Sequence, residues 1–329
     1  MTGASRGVLV VVAVLAMVAL VQVCEVASPE PQSRPTITSQ PTSANLASRH
    51  PGPAPTTSPS PSRSRPSEPR QSLTIDRVVS AGGVRQWVRC LGSGPVTLVV
   101  VAGLGTPAQA WHGVLPAFVR ATRTCIYDRP GIGRSPSRPD RGRVVDVGLY
   151  AAELKALLDA IHERGPYVLL GHSFGGLVGR AFVHRYGGSV AGLLLAESVT
   201  PGDPTVGTYW NEAGHRIAMT RNLAETGNGR GLGTLPLLVL SASNPQEDHL
   251  GGRTYGQPQW MVDLWVREQA QSKALSSDAV QVVAVSGHVL EQDNPAATEE
   301  AVRELVQAAE VGTRLRCSSV WPAVRASCR

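Results

Sequence analysis

A serine lies between two glycines where the sequence changes from a buried strand to a helix. In YVLLGHSFGGLVGRAF, residues 167–170 are typical of a buried strand, and a helical pattern follows Ser173. Gly171 and Gly175 remove the Cβ clashes that a sharp strand-to-helix turn creates around its central residue. Such a turn exposes the Ser173 hydroxyl in front of helix amides, which favour developing negative charge. The pattern therefore predicts a nucleophilic serine.

His288 is the candidate base, because it follows the last predicted strand in VSGHVLEQDNP. The carboxyl ends of parallel strands meet at one edge of a sheet, so His288 and Ser173 are expected at the same edge. A serine hydroxyl needs a base to take its proton, and histidine is the usual base near neutral pH. The other histidines lack such a position, and His172 is expected to pack beside the serine.

The acid that would orient His288 has two candidates. The loop after residues 235–243 contains Asn244 where a triad acid is usually found, and Asp248 lies a few residues further on. Glu197 ends the strand next to the serine strand, where a buried carboxylate would need a partner. Glu197 is favoured, and Asp248 remains the alternative.

Two backbone N–H groups are candidates for binding the oxyanion of an acyl-transfer intermediate. Phe174 directly follows the serine, and Leu104 lies in the loop VAGLGTP after the third predicted strand. An ordinary glycine turn is the alternative interpretation of that loop. With Ser173 and His288 these groups predict nucleophilic acyl transfer, for which neither a cofactor nor a metal is expected.

The elements that would position these residues alternate between strands and helices over residues 71–312. Predicted strands cover 72–79, 84–90, 96–103, 123–131, 167–170, 190–198, 235–243 and 279–288, and predicted helices cover 108–121, 144–165, the segment after Ser173 and 296–311. An opening hairpin followed by strand–helix units predicts an α/β domain with a mostly parallel sheet.

Residues 199–234 are interrupted by glycine and proline and predict a short cap with one helix near Gly214–Thr226. Trp210 in this cap, with Trp260 and Trp265 downstream, could line an apolar acyl pocket. They could equally be core residues.

The first 70 residues do not resemble a folded domain. Residues 1–27 contain an apolar run of sixteen residues after Arg6, typical of a secretory signal peptide or an N-terminal membrane anchor. Cys24 follows this run, but the preceding Val23 does not fit a lipoprotein signal. Residues 28–70 are rich in Pro, Ser and Thr and predict a disordered linker. A secreted or cell-envelope location is therefore expected.

The formal charge of +6 arises at the two ends of the chain. Residues 71–313 hold 21 basic and 22 acidic side chains, so a nucleic-acid-binding surface is not expected on the domain. Residues 313–329 are interpreted as a basic tail. Cys317 and Cys328 lie in this tail, and behind a signal sequence a bridge between them is favoured.

Four blocks of the sequence together resemble the α/β-hydrolase fold superfamily, in particular its single-domain serine hydrolase and esterase group. The blocks are VVVAGLG, CIYDRPGIGRS, YVLLGHSFGGLVGR and SGHVLEQDNP, in the family's order between Val84 and Val311. The resemblance implies the α/β-hydrolase fold, with about eight strands in a mostly parallel sheet, flanking helices and a short cap. It also makes the second and fourth strands neighbours, so that a Cys90–Cys125 disulfide would be sterically allowed.

The resemblance implies a serine hydrolase that cleaves a carboxylic ester, or a related acyl bond, of a small molecule. Ser173 argues against relatives that use a carboxylate nucleophile, such as epoxide hydrolases. Peptidase or thioesterase activity is the alternative enzyme class. A non-catalytic envelope protein that binds a small ligand is the other alternative, because the position of the acid is irregular. We expect a monomer, tethered to a membrane or cell wall through its N-terminus if the first helix is retained.

Overall fold

The computed structural model describes residues 74–140, 142–201, 207–245 and 258–329. Several features predicted from the sequence lie outside these residues: the signal or anchor (1–27), the linker (28–70), part of the cap, and the alternative acid Asp248. In the described ranges, no helix combines the length and the apolar character needed to cross a membrane.

Twelve strands form two sheets in the part of the chain that the structure describes. The strands are β1 (Ile75–Ala81), β2 (Val84–Leu91), β3 (Thr97–Val101), β4 (Arg123–Tyr127), β5 (Val144–Val145), β6 (Tyr167–His172), β7 (Val190–Ala196), β8 (Tyr209–Glu212), β9 (His215–Ala218), β10 (Leu237–Ala242), β11 (Ala279–Ala284) and β12 (Ala326–Cys328). The large sheet has nine strands in the order β1-β2-β4-β3-β6-β7-β10-β11-β12, and the small sheet has the order β5-β9-β8. Six neighbouring strands of the large sheet run parallel, in the order β4-β3-β6-β7-β10-β11. This confirms the predicted mostly parallel sheet.

The helices cover both faces of the large sheet. They are α1 (Leu115–Ala121), α2 (Val147–Ala160), α3 (Phe174–Tyr186), α4 (Asn222–Glu225), α5 (Gln259–Ser272), α6 (Leu290–Asp293) and α7 (Pro295–Val311). One apolar core lies between the sheet and α1 with α7, and the other lies between the sheet and α2 with α3. Successive residues of β3 alternate between the two cores, as the period of two in a strand requires. Burial on both faces explains the continuous apolar runs in the sequence.

Strands β2 and β4 are neighbours, as the family resemblance implies. Cys90 and Cys125 lie directly opposite each other in this antiparallel pair, with a Cα–Cα distance of 4.1 Å, and form a disulfide. The bridge closes a loop of 35 residues. It therefore links the antiparallel start of the sheet to its parallel part.

Two predicted helices differ from the observed ones at their first residues. The helix predicted over 108–121 is divided into a 3₁₀ helix over Ala108–Trp111 and α1, which begins only at Leu115. Pro116 lies in the first turn of α1, where its missing N–H costs no helical hydrogen bond. The helix predicted over 144–165 begins only at Val147, because Val144 and Val145 pair with β9. The Asp146 side chain caps this helix by accepting a hydrogen bond from the Leu149 N–H (2.9 Å).

The helix predicted near Gly214–Thr226 is largely wrong. Ala213 and Gly214 both have positive φ, 51° and 81°, and form the two-residue turn of the β8–β9 hairpin. Only Asn222–Glu225 is α-helical in this region. The apolar residues here alternate over too short a distance to be distinguished from a helical pattern.

The tail predicted at 313–329 is also wrong, since these residues belong to the domain. β12 pairs with β11 and adds a ninth strand, and a disulfide joins Cys317 to Cys328. Leu315 and Trp321 are buried, and Trp321 packs in the same core as α7. Burial of these two apolar side chains holds the segment on the domain despite its basic charge.

Candidate active site

Ser173 occupies a strained turn between β6 and α3. Its φ of 53° and ψ of −122° lie outside the regions that side chains usually adopt. The flanking glycines are required at this turn. A Cβ on Gly175 would lie 2.0 Å from the Val101 carbonyl oxygen, and one on Gly171 would lie 2.6 Å from the Gly176 Cα. The turn leaves Ser173 half-buried, at the amino end of a helix.

His288 lies in the loop between β11 and α6, with its side chain 26% exposed. Its ring is 5.0 Å from the ring of His172, the residue before Ser173, and 5.8 Å from the ring of Trp265. The predicted base and the predicted nucleophile therefore lie at the same edge of the sheet.

Glu197 directly follows β7, at the same edge, and is fully buried. Its Oε1 accepts a hydrogen bond from the Ala242 N–H, and its Oε2 accepts one from Trp265 Nε1–H, each at 2.7 Å. The same Oε2 lies 3.5 Å from His288 Nδ1. Glu197 also has a positive φ, 43°. Of the two candidate acids, Glu197 is thus the one found beside His288, and the alternative Asp248 stays a prediction outside the described residues.

His172 supports His288 through the backbone. Its Nε2 is 2.9 Å from the His288 carbonyl oxygen, so Nε2 carries the proton and donates this bond. Burial, and to a smaller extent the neighbouring His288, lowers the pKa of His172 to about 3. His172 is therefore neutral at ordinary pH, and its packing against Trp111 (ring distance 5.9 Å) agrees with the expected packing role.

A second buried carboxyl group lies close to His288. Glu291 is in the first turn of α6, and burial raises its pKa to about 7, although its backbone hydrogen bond and His288 act in the opposite direction. Its Oε2 accepts no hydrogen bond within the described part of the chain. The block SGHVLEQDNP contains this residue, but nothing in the sequence indicates that its pKa is raised.

The loop after β3 lies against the serine turn, as predicted for an oxyanion loop. A Cβ on Gly103 would be 3.5 Å from Ser173 Cβ and 3.2 Å from His172 Nδ1. Leu104 follows in this loop, and Phe174 is the first residue of α3. The residues that carry the two predicted donors therefore belong to two different elements, which meet at the serine turn.

Arg129 and Glu212 form a buried ion pair behind this loop that sequence reasoning missed. Arg129 Nε donates to Glu212 Oε2 at 2.9 Å, and both side chains are buried. Arg129 lies in the block CIYDRPGIGRS, which supports the family resemblance without assigning this arginine a role, and Glu212 lies in the cap without any motif around it. No local sequence signal could have paired them.

The tryptophans considered as pocket or core residues lie in different environments. Trp210 packs against Phe174 (ring distance 6.0 Å), and Trp265 contacts both Glu197 and His288. Both are partly buried beside the candidate site. Trp260 is 60% exposed on α5.

One group of side chains in the described ranges has the spacing of a metal site. Only Cys90, Cys125 and Glu163 bring three His, Cys, Asp or Glu ligand atoms together there. The two cysteines are bonded to each other and offer no thiolate. We therefore assign no metal to this group.

Comparison with known proteins agrees with this architecture. The family model described as "alpha/beta hydrolase fold" matches residues 96–220. A 2-hydroxy-6-oxo-2,4-heptadienoate hydrolase from Pseudomonas putida is 37% identical over 127 residues, which are 38% of this chain and 45% of that protein. An uncharacterised Bacillus subtilis protein, YqjL, is 28% identical over 170 residues, 47% of this chain and 65% of that protein. The chain thus spans less than two thirds of the curated relatives it matches.

Solved structures resemble the fold at low sequence identity. A thermophilic esterase from Thermogutta terrifontis matches with a TM-score of 0.53 and 18% identity, over 73% of this chain and 99% of that one. A putative lipase from Acinetobacter baumannii matches with a TM-score of 0.54 and 16% identity, over 73% and 93% of the two chains. At such identities the likeness concerns the fold.

Proposed function

Because this chain belongs to the α/β-hydrolase superfamily, we propose that it is a serine hydrolase that cleaves a carboxylic ester or a related acyl bond. Ser173 is the nucleophile, His288 the general base and Glu197 the acid that orients the histidine. The proposal is carried by one observation above all: the Glu197 carboxylate lies 3.5 Å from His288 Nδ1, at the sheet edge that also holds the strained Ser173.

The proposed reaction follows the logic of a Ser-His-acid triad. His288 takes the proton of Ser173 as its Oγ attacks the carbonyl carbon of the substrate. The buried Glu197 carboxylate stabilises the imidazolium that forms. The N–H groups of Leu104 and Phe174 bind the oxyanion. When the carbon–oxygen bond breaks, His288 returns the proton to the leaving alcohol, and an acyl-enzyme remains.

Water then completes the cycle. His288 removes a proton from a water molecule as the water attacks the acyl-enzyme carbonyl, and the same oxyanion donors act again. His288 returns that proton to Ser173 Oγ as the ester bond to the enzyme breaks. The products are a carboxylic acid and the free serine.

A small acyl substrate is supported by the surroundings and by the relatives. Trp210 and Trp265 lie beside the site and offer apolar surface for an acyl group. The Pseudomonas putida relative is a hydrolase by name, and a relative from Pisum sativum, 37% identical over 94 residues, is an esterase by name. We favour ester cleavage over peptidase or thioesterase activity on these grounds.

We further propose that the protein acts outside the cytoplasm or in the cell envelope. The two disulfides support this location, because such bonds persist in oxidising compartments. The N-terminal apolar run and the linker in the sequence agree with it.

The proposal is tested by labelling with a fluorophosphonate, which reacts rapidly only with an activated serine. The wild-type chain should label and should hydrolyse short p-nitrophenyl esters, and Ser173→Ala should do neither while keeping its unfolding temperature. Ser189→Ala, just beyond α3, is the matched control and should behave as wild type. Wild-type turnover in Ser173→Ala would refute the assignment. A wild-type chain that binds ligands but never labels would favour a non-catalytic binding protein.

A further inference from the structure

Arg129 contacts three parts of the candidate site: the loop after β3, the cap and the first residue of α3. Its Nη1 donates to the Ala102 carbonyl oxygen at 2.7 Å, and its Nη2 donates to the Gly103 carbonyl oxygen and to Glu212 Oε1. The guanidinium carbon lies 5.5 Å from the centre of the Phe174 ring. Arg129 therefore contacts the loop after β3 and also the residue that supplies the other predicted oxyanion donor.

Glu212 completes this arrangement from the cap. It is the last residue of β8, and its carboxylate is buried against Arg129. Its Oε1 also accepts a hydrogen bond from the Gly105 N–H at 2.7 Å. The loop is thus held at Ala102, Gly103 and Gly105, the residues on both sides of Leu104.

Both members of the pair are charged at ordinary pH. Burial disfavours the Arg129 cation, but the Glu212 carboxylate outweighs this effect and raises the pKa of Arg129 above its ordinary value. Burial also disfavours the Glu212 anion, and Arg129 outweighs it and lowers the pKa of Glu212. Charge-assisted hydrogen bonds are roughly twice as strong as neutral ones, so these contacts hold the loop firmly.

We propose that Glu212 is a positioning residue for oxyanion stabilisation, acting through Arg129 and Gly105 to fix the Leu104 N–H. This inference rests on the proposed function, because it assigns Leu104 to the oxyanion. An N–H donor assists the reaction most when it is already oriented, since reorientation during charge development costs free energy. The cap hairpin is then part of the catalytic geometry.

The same chain offers a matched buried ion pair far from the serine. Arg123 begins β4, at the opposite edge of the sheet, and its Nε donates to Glu163 Oε1 at 2.6 Å. Both side chains are at most 7% exposed, as in the Arg129–Glu212 pair. This pair contacts the Gly92 carbonyl oxygen and the Thr97 hydroxyl, and the oxyanion loop is not among its contacts.

The test compares Glu212→Gln with Glu163→Gln. Each change leaves one buried guanidinium without its carboxylate, so both should lower the unfolding temperature by similar amounts. Only Glu212→Gln should lower kcat, by about tenfold to a hundredfold, with KM changed less than about threefold. Only Glu212→Gln should also speed amide hydrogen exchange in residues 102–105.

A second pair of variants keeps the positive charge but replaces the planar guanidinium by an ammonium group. The three N–H donors of a lysine ammonium share one nitrogen, so they cannot reproduce the four hydrogen bonds that Arg129 donates from three separate nitrogens. Arg129→Lys should therefore reproduce the loss in kcat and the faster loop exchange, and Arg123→Lys should not. This comparison also carries the test if Glu212→Gln does not fold.

The outcomes separate this inference from the proposed function. If Glu212→Gln and Arg129→Lys keep wild-type kcat and wild-type loop exchange, Glu212 is not a positioning residue. Equal losses of kcat in the Glu212 and Glu163 variants would overturn it as well, because they would reflect general destabilisation. If the wild-type chain neither labels nor turns over esters, the serine hydrolase assignment fails, and loop exchange alone decides whether Glu212 fixes the loop.

Discussion

The charge of Glu197 can be tested separately from its hydrogen bonds. Glu197→Gln keeps the size of the side chain but removes the anion that would stabilise the His288 imidazolium. Isosteric neutralisation of a triad acid lowers kcat by about 10⁴ in the serine protease that serves as the standard case. The distance from Glu197 Oε2 to His288 Nδ1 is 3.5 Å, somewhat longer than a strong hydrogen bond. We therefore expect a fall in kcat of about 10³ to 10⁴.

The same change should also lower stability by an amount that the contacts define. The Ala242 N–H and Trp265 Nε1–H donate to different carboxylate oxygens of the fully buried Glu197. A carboxamide has only one oxygen, so one of these donors would face an NH₂ group in either orientation. An unsatisfied buried donor costs about 1–3 kcal/mol.

A double-variant cycle distinguishes the two effects. Trp265→Phe removes one donor but keeps the carboxylate charged, so its kcat should stay within about tenfold of wild type. Glu197→Gln combined with Trp265→Phe should regain part of the lost stability and none of the lost kcat. The assays are steady-state hydrolysis of p-nitrophenyl acetate and thermal unfolding. If Glu197→Gln keeps kcat within about threefold of wild type, the assignment of the acid is refuted, and Asp248→Asn becomes the decisive variant.

Two further predictions concern stability. Burial raises the pKa of Glu291 from 4.5 to about 7 in the folded state, with His288 and Asp293 nearby. The contribution of Glu291 to the free energy of unfolding is therefore fully present below pH ~4.5 and is lost as the pH rises through about 7. The free energy of unfolding should fall over this range by on the order of 3 kcal/mol. Glu291→Gln should make the free energy of unfolding, measured by urea titration at several pH values, depend less on pH. An unchanged pH dependence would contradict this prediction. Replacing Cys90 and Cys125 by alanine opens a 35-residue loop and should lower the unfolding free energy by about 4 kcal/mol; calorimetry showing no loss would contradict this value.

The parallel part of the fold could be predicted because its strands are buried on both faces. Runs such as residues 96–103 and 235–243 are continuously apolar, and each is bounded by turn residues. The cap could not be predicted in the same way. Its hairpin depends on positive φ at Ala213 and on pairing of β9 with β5, which lies more than sixty residues earlier in the chain. Such long-range pairing leaves no periodic signal.

The common location of Ser173 and His288 could be predicted because topology alone brings the ends of parallel strands together. Ser173 and His288 each follow a parallel strand, so their common edge follows from the fold. The contacts that fix their surroundings come from unrelated segments. Trp265 donates to Glu197 from α5, and Glu212 reaches Arg129 from the cap. Neither pair has a spacing that a motif could encode.

The position of Glu197, the proposed acid, is explained by a hydrogen-bond donor at the end of the neighbouring strand β10. β7 lies between β6, which ends at the serine, and β10. The end of β10 supplies a donor, the Ala242 N–H, and this donor requires an acceptor from an adjacent strand. Glu197 meets that requirement at a positive φ of 43°, a conformation that costs about 1–3 kcal/mol in a non-glycine residue. Ser173 carries similar strain at the end of β6, so two neighbouring turns are held in unfavourable conformations by their contacts. The strain lies at Ser173 and Glu197, the proposed nucleophile and the proposed acid, which the proposed chemistry requires to be fixed relative to His288.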